Sequence, residues 1–174
     1  MNCLTEIFVE RALARAKELD EYLFKNGKVM GPLHGLPVSC KDMLRIKGQE
    51  TVMGYASYVG VINEYDSVLV EIMYECGANP FVQTNVPQTL MVRSLSLLFV
   101  RYCYSRHGIL QWPETHNLVY GRTLNPYNRK LTPGGSSGGE GALVAMRGSP
   151  LGLGSDIGGY VCFIVLKGFP FCIS

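Results

Sequence analysis

Residues Thr132–Gly159 read TPGGSSGGEGALVAMRGSPLGLGSDIGG. Two adjacent hydroxyls, Ser136 and Ser137, stand between the pairs Gly134-Gly135 and Gly138-Gly139. An apolar, helix-like run follows, and then a second turn, Ser155-Asp156-Ile157-Gly158-Gly159. Glycine carries no Cβ, so glycines on both sides of a serine pair let backbone N–H groups face a reacting atom. Glycine density alone also fits a pair of flexible loops. The hydroxyl pair, the apolar run and the second turn together call for a reading in which the rest of the chain serves this stretch.

At 174 residues the chain is long enough for one domain with a real core. Its 47% hydrophobic and 17% charged residues describe a globular protein slightly on the apolar side. A net charge of +2 with scattered Lys and Arg forms no basic stripe, so nucleic acid is not indicated as a partner. The apolar runs 95–100 and 161–166 are too short to cross a bilayer. The first twenty residues carry acids early and lack a cleavable apolar core, so no signal peptide is expected. Cys3, Cys40, Cys76, Cys103, Cys162 and Cys172 form no CxxC, and no zinc-like spacing with His34, His107 or His116. They read as free thiols in a reducing compartment. The expectation is a cytoplasmic, metal-free chain.

Upstream, Leu4, Phe8, Ala12, Ala16, Leu19 and Leu23 recur at three- and four-residue spacing. This predicts an amphipathic helix closed by a left-handed cap at Asn26-Gly27. A helix beginning almost at Met1 is what a start cut from a longer protein would give. In residues 31–42, GPLHGLPVSCKD, Pro32 and Pro37 frame a short strand. Leu36, Val38 and Cys40 face one way there, and Ser39 and Lys41 the other. Lys41 is then a lone cation in an apolar strand, and two readings are open. It is a surface lysine on an edge strand, or a buried amine whose pKa, about 10.4 in water, is lowered by desolvation toward neutrality. His34, beside a turn, reads as structural, and Asp42 as locally paired. Asp66 is placed to cap a helix over residues 67–76, with Val68, Leu69, Ile72 and Met73 inward and Gly77 ending it. Residues 80–84 read as a strand with Pro80 at its first position. Strand, helix, strand predicts a right-handed crossover in a largely parallel sheet.

A resemblance covers about residues 1–91 and 112–159, in three well-spaced blocks. They are GPLHGLPVSCKD with Ile46-Lys47-Gly48, Thr51 and Gly54; Thr84-Asn85-Val86-Pro87-Gln88; and residues 112–159, where WPETHNLVYGRTLNPYNRKLTPGGSSGG runs on into the stretch quoted first. Together they resemble the amidase signature family, serine hydrolases that cleave amides with a Ser–cis-Ser–Lys triad and include fatty-acid amide hydrolase and fungal acetamidases. The resemblance implies an α/β fold, here a partial one, with a twisted mixed β-sheet flanked by helices. It implies a small-molecule amide as substrate and no cofactor, and it assigns roles. Lys41 matches the base, and Ser136 the bridging cis serine, 24 residues before the nucleophile position. Ser137 matches a supporting hydroxyl. The backbone N–H groups of Ile157, Gly158, Gly159 and residue 160 match the oxyanion hole, with Asp156 bracing that turn. The Thr84–Thr89 turn matches a wall of the substrate channel.

The nucleophile's own position holds Tyr160. A phenol reaches further from the backbone than a Ser hydroxyl, and its pKa near 10 makes an acyl ester that leaves too readily. The chain is therefore expected not to hydrolyse amides. Two segments depart from the family text. Residues 92–111 are expected to be a foreign insertion, since removing them joins Met91 to Trp112 in a continuous match. Val92-Arg93 can read a splice donor, and the alternative is a membrane-touching loop. Residues 160–174 are expected to be a non-family tail of the same origin, leaving one partial amidase domain over 1–174 that lacks several hundred residues. An incomplete sheet would leave strand edges and a core face uncovered. The competing classes are a non-catalytic fragment that binds amides or acyl chains, and a gene-model artefact of a working amidase. Gly134-Gly135-Ser136-Ser137-Gly138 also fits a G-x-S-x-G elbow, but no histidine follows it. No phosphate-loop or dinucleotide-binding glycine pattern is present.

Overall fold

The computed structural model describes residues 1–90 and 114–155. The expectations for 92–111, for Asp156, Ile157, Gly158, Gly159 and Tyr160, and for the tail to Ser174 lie outside the described residues. In chain order the elements are β1 (Leu4–Ile7), α1 (Val9–Asn26), β2 (Pro37–Lys41), α2 (Val68–Glu75), β3 (Asn79–Thr84), β4 (His116–Asn117), β5 (Gly121–Arg122), α3 (Gly138–Ala145) and β6 (Leu151–Leu153). Four strands form one mixed sheet in the order β1-β3-β2-β6, and β4 and β5 form a separate hairpin. Strand β2 runs parallel to both β3 and β6, while β1 is antiparallel to β3.

The alternation read in β2 is present. Val38 and Cys40 pack with Phe8, Ile46, Val70 and Met73 in one apolar cluster. Ser39 and Lys41 point to the opposite face, which α3 covers through Ala142 and Leu143 packed against Val82 and Cys3. Because β2 has a strand on each side, Lys41 is not on an edge. Only 1% of it is exposed.

Several local expectations are corrected. Leu4 belongs to β1 and not to the first helix, which begins at Val9. Cross-strand pairing of Leu4 with Thr84 outweighs its helical spacing to Phe8. The helix ends as read, with Gly27 at φ 64° donating its N–H to the Leu23 carbonyl at 2.9 Å. Asp66 does not cap α2: its carboxylate accepts the Lys47 N–H at 2.7 Å, and Ser67 is the N-cap residue. The buried face of α2 is Val70 and Met73, while Val68, Leu69 and Ile72 are exposed. A helix apolar at six of its eight positions gives periodicity little to choose between, so the neighbours decide.

Candidate active site

The sheet's α3 face is where the glycine-serine stretch meets β2. The Lys41 Nζ lies 2.6 Å from the Ser136 Oγ and 2.7 Å from the Ser155 Oγ, with the Ser155 carbonyl oxygen at 3.3 Å. Ser155 in turn donates its hydroxyl to the Met43 sulfur at 3.1 Å. The Gly135–Ser136 peptide bond is cis. Ser136 is half-buried, and Ser137 is buried beneath it. The Ser137 hydroxyl donates to the Ser155 carbonyl at 3.0 Å and accepts the Ser155 N–H at 3.1 Å. One residue thus ties the start of α3 to the backbone leaving β6. A lysine 95 positions upstream meets both hydroxyl groups because β2 and β6 are adjacent and parallel.

The glycines in this stretch have a different use from the one their density suggests. A Cβ on Gly135 would lie 2.6 Å from the Glu114 carbonyl oxygen, and one on Gly138 would collide with the Thr115 hydroxyl. A Cβ on Gly139 would lie 2.5 Å from the Asn85 carbonyl oxygen and 2.8 Å from that of Cys3. Gly135 and Gly139 admit neighbouring backbone, and Gly138 admits the Thr115 side chain. Thr115 completes the clamp, donating to the Gly134 carbonyl at 2.8 Å and accepting the Gly138 N–H at 3.1 Å. From the other side Asn85, fully buried, links the end of β3 to Asn2, Thr123 and Asn117.

Two buried carboxyl groups accompany the lysine, Asp42 as its neighbour in sequence and Glu140 through its charge. Asp42 accepts the backbone N–H groups of Val52 at 3.0 Å and Met53 at 3.2 Å, partners ten residues away and beyond. Burial pushes its carboxyl up to about 7 against those two hydrogen bonds, and the nearby Glu6 and Glu50 carboxylates add to the rise. Glu140, in the first turn of α3, is 4% exposed. Ser39 donates to its Oε2 at 2.6 Å and Thr84 to its Oε1 at 2.8 Å. Burial raises this carboxyl to about 7 as well, while the two hydroxyls and then the Lys41 charge draw it back. Nothing in the sequence singled out Glu140, because a charged residue among glycines reads as solvated. Ser155 was visible as part of the second turn but not as a partner of Lys41. Among the described residues no group of three or more His, Cys, Asp or Glu is placed to hold a metal ion. Cys3, Cys40 and Cys76 are free thiols, and no described helix is long and apolar enough to cross a membrane.

The family model described as Amidase matches residues 1–100 and 106–162. The chain belongs to the amidase family. Among curated amidase relatives it is similar to the acetamidase of Emericella nidulans, 49% identical over 160 residues that make up 92% of this chain and 26% of that one. It is similar to the acetamidase of Aspergillus oryzae at 48% identity, over 92% of this chain and 26% of the relative. Among solved amidase structures, a fatty acid amide hydrolase superposes with a TM-score of 0.75 at 39% identity, over 91% of this chain and 24% of that one. A peptide amidase of Stenotrophomonas maltophilia gives a TM-score of 0.68 at 26% identity, over 84% and 26%. The chain thus spans about a quarter of the length of the curated relatives it matches, and its sheet is a partial amidase signature fold.

Proposed function

We propose that this chain carries the base and the relay of a carboxamide hydrolase, Lys41 and Ser136, with Ser137 in support, and that it lacks the attacking group. One observation carries the reading: a buried amine 2.6 Å from the hydroxyl of a half-buried serine. Removing water from an amine disfavours its charged form, which suits a base that is neutral before the reaction. On this reading the amine takes the Ser136 proton as Ser136 takes one from a nucleophilic serine at the position of Tyr160. The nucleophile's oxygen bonds to the amide carbon, and the C–N bond breaks as the relay returns the proton to the leaving nitrogen. Water then repeats the sequence on the acyl ester, so that amide plus water yields acid plus ammonia or amine. The N–H groups of Ile157, Gly158, Gly159 and residue 160, with Asp156 bracing the turn, would receive the oxyanion.

With Tyr160 in that position the chain performs none of these steps. The test uses the purified 174-residue chain with a fluorophosphonate probe and, separately, acetamide with ammonia detection. The expected result is no covalent adduct by mass spectrometry and no ammonia above the buffer rate. An adduct on Ser136 or Tyr160, or catalytic release of ammonia, contradicts the reading. Saturable acetamide binding without turnover would instead identify the chain as a binder.

A further inference from the structure

Glu140 is used by no step above, yet it occupies the centre of the face that presents Lys41. Its two oxygens are held by hydroxyls from two different strands, Ser39 on β2 and Thr84 on β3. Both donors adjoin the lysine. Ser39 lies two residues before Lys41 on the same side of β2, and Thr84 is the residue paired with Lys41 across the ladder. The third wall is Gly152 on β6, paired with Ser39, where any Cβ would collide with the Glu140 Oε2. A carboxyl gripped on three sides and cut off from water has little to screen it from a charge on the same sheet face. The other titratable groups that feel it are the Cys40 and Cys3 thiols, which burial holds in the neutral form.

We propose that Glu140 is a positioning residue for the Lys41 amine, its carboxylate setting how tightly that amine holds a proton. The ionised carboxylate stabilises the ammonium that forms when a proton arrives from Ser136, and the neutral acid leaves the amine free to accept one. The upward shift of Glu140, opposed in part by Lys41, accords with this coupling. The assignment rests on the proposed role of Lys41 as base, and the following experiment separates the two.

The full chain is prepared with carbon-13 at lysine Cε and glutamate Cδ, and the Lys41 resonance is identified by its loss in Lys41→Met. Its titration midpoint is then compared with that of Glu140→Gln, which keeps the size of the side chain and its ability to hydrogen-bond Ser39 and Thr84. The expected result is a downward shift of about one pH unit in Glu140→Gln, a tenfold loss of proton affinity at Lys41. A midpoint unmoved, or moved upward, overturns the assignment. Should the variant not fold, the wild type decides. Its Lys41 resonance must show a second inflection at the pH where the Glu140 Cδ titrates, and absence of that inflection also overturns the proposal. The absolute midpoint tests the other claim. A wild-type value near that of free lysine, about 10.4, with the Gln shift intact, counts against the base reading alone. A depressed value insensitive to Glu140→Gln counts against this assignment alone.

Discussion

Replacing Gly139 with alanine should be among the most damaging one-carbon changes in the chain. The added Cβ would meet the Asn85 nitrogen, the Asn85 carbonyl oxygen at 2.5 Å and the Cys3 carbonyl oxygen at 2.8 Å. Favourable carbon contacts begin at about 3.5 Å, so the helix start or the strand end must move by about 1 Å. All three obstructing atoms are backbone, and each is already held in a hydrogen bond. The Gly139 N–H donates to the Asn85 carbonyl at 3.1 Å, and the Asn85 N–H to the Cys3 carbonyl at 2.8 Å. No rotamer change relieves the overlap, which places the cost at the upper end of overpacking, about 3 kcal/mol. The comparison variant is Gly27→Ala, where φ is 64° but no atom lies within 4 Å of the new Cβ. Left-handed backbone strain alone costs about 1–2 kcal/mol there. Urea unfolding followed by far-ultraviolet circular dichroism reads both, and with a slope of about 2 kcal/mol per molar the Gly139 midpoint should fall by about 1.5 M. A Gly139→Ala midpoint at or above that of Gly27→Ala would show that the glycine pair after Ser137 is not there for close packing.

Stability should also decline as pH rises from about 4 toward neutrality. Asp42 and Glu140 both have carboxyls raised to about 7 by burial, above the ordinary 3.8 and 4.5. The folded chain therefore holds protons that the unfolded chain has lost between about pH 4 and 7. Their contribution is complete below pH 4, is lost up to about pH 7, and is flat beyond. For Asp42 the shift of about 3 units corresponds to about 4 kcal/mol. Asp42→Asn should roughly halve the decline in the urea midpoint between about pH 5 and 7, leaving the part due to Glu140, and a wild-type midpoint that climbs over that range would refute the burial account. Asn85→Ala should cost about 3 kcal/mol, because it strips partners from several buried polar groups at once. These include the Asn117 Nδ2, whose bond to the Asn85 Oδ1 is 2.7 Å. Hydrogen exchange should accelerate first in β4 and β5; protection unchanged there would mean the hairpin is held by other contacts.

Local chemistry made much of this protein readable from its residues. The two-residue alternation of 36–41 announced a strand with Ser39 and Lys41 on one side, Asn26-Gly27 announced the end of α1, and the serine pair with its glycines marked the stretch that meets Lys41. These signals act over a few residues, so they survive without knowledge of the fold. What they could not supply was partnership at a distance. Whether Lys41 was a surface cation or a buried amine depended on β6, a three-residue strand more than a hundred positions later that no pattern revealed, closing over the side of β2. Leu4 left its helical period because β3 offered it a pairing, and α2 turned Val70 and Met73 inward because Phe8 and β2 lay there. Glu140 is the sharpest case. A carboxylate between glycines is stable in water by default, and it becomes a buried, hydroxyl-bound group beside a lysine only when three strands and a helix converge. Desolvation is a property of the enclosure, and only the assembled sheet encloses.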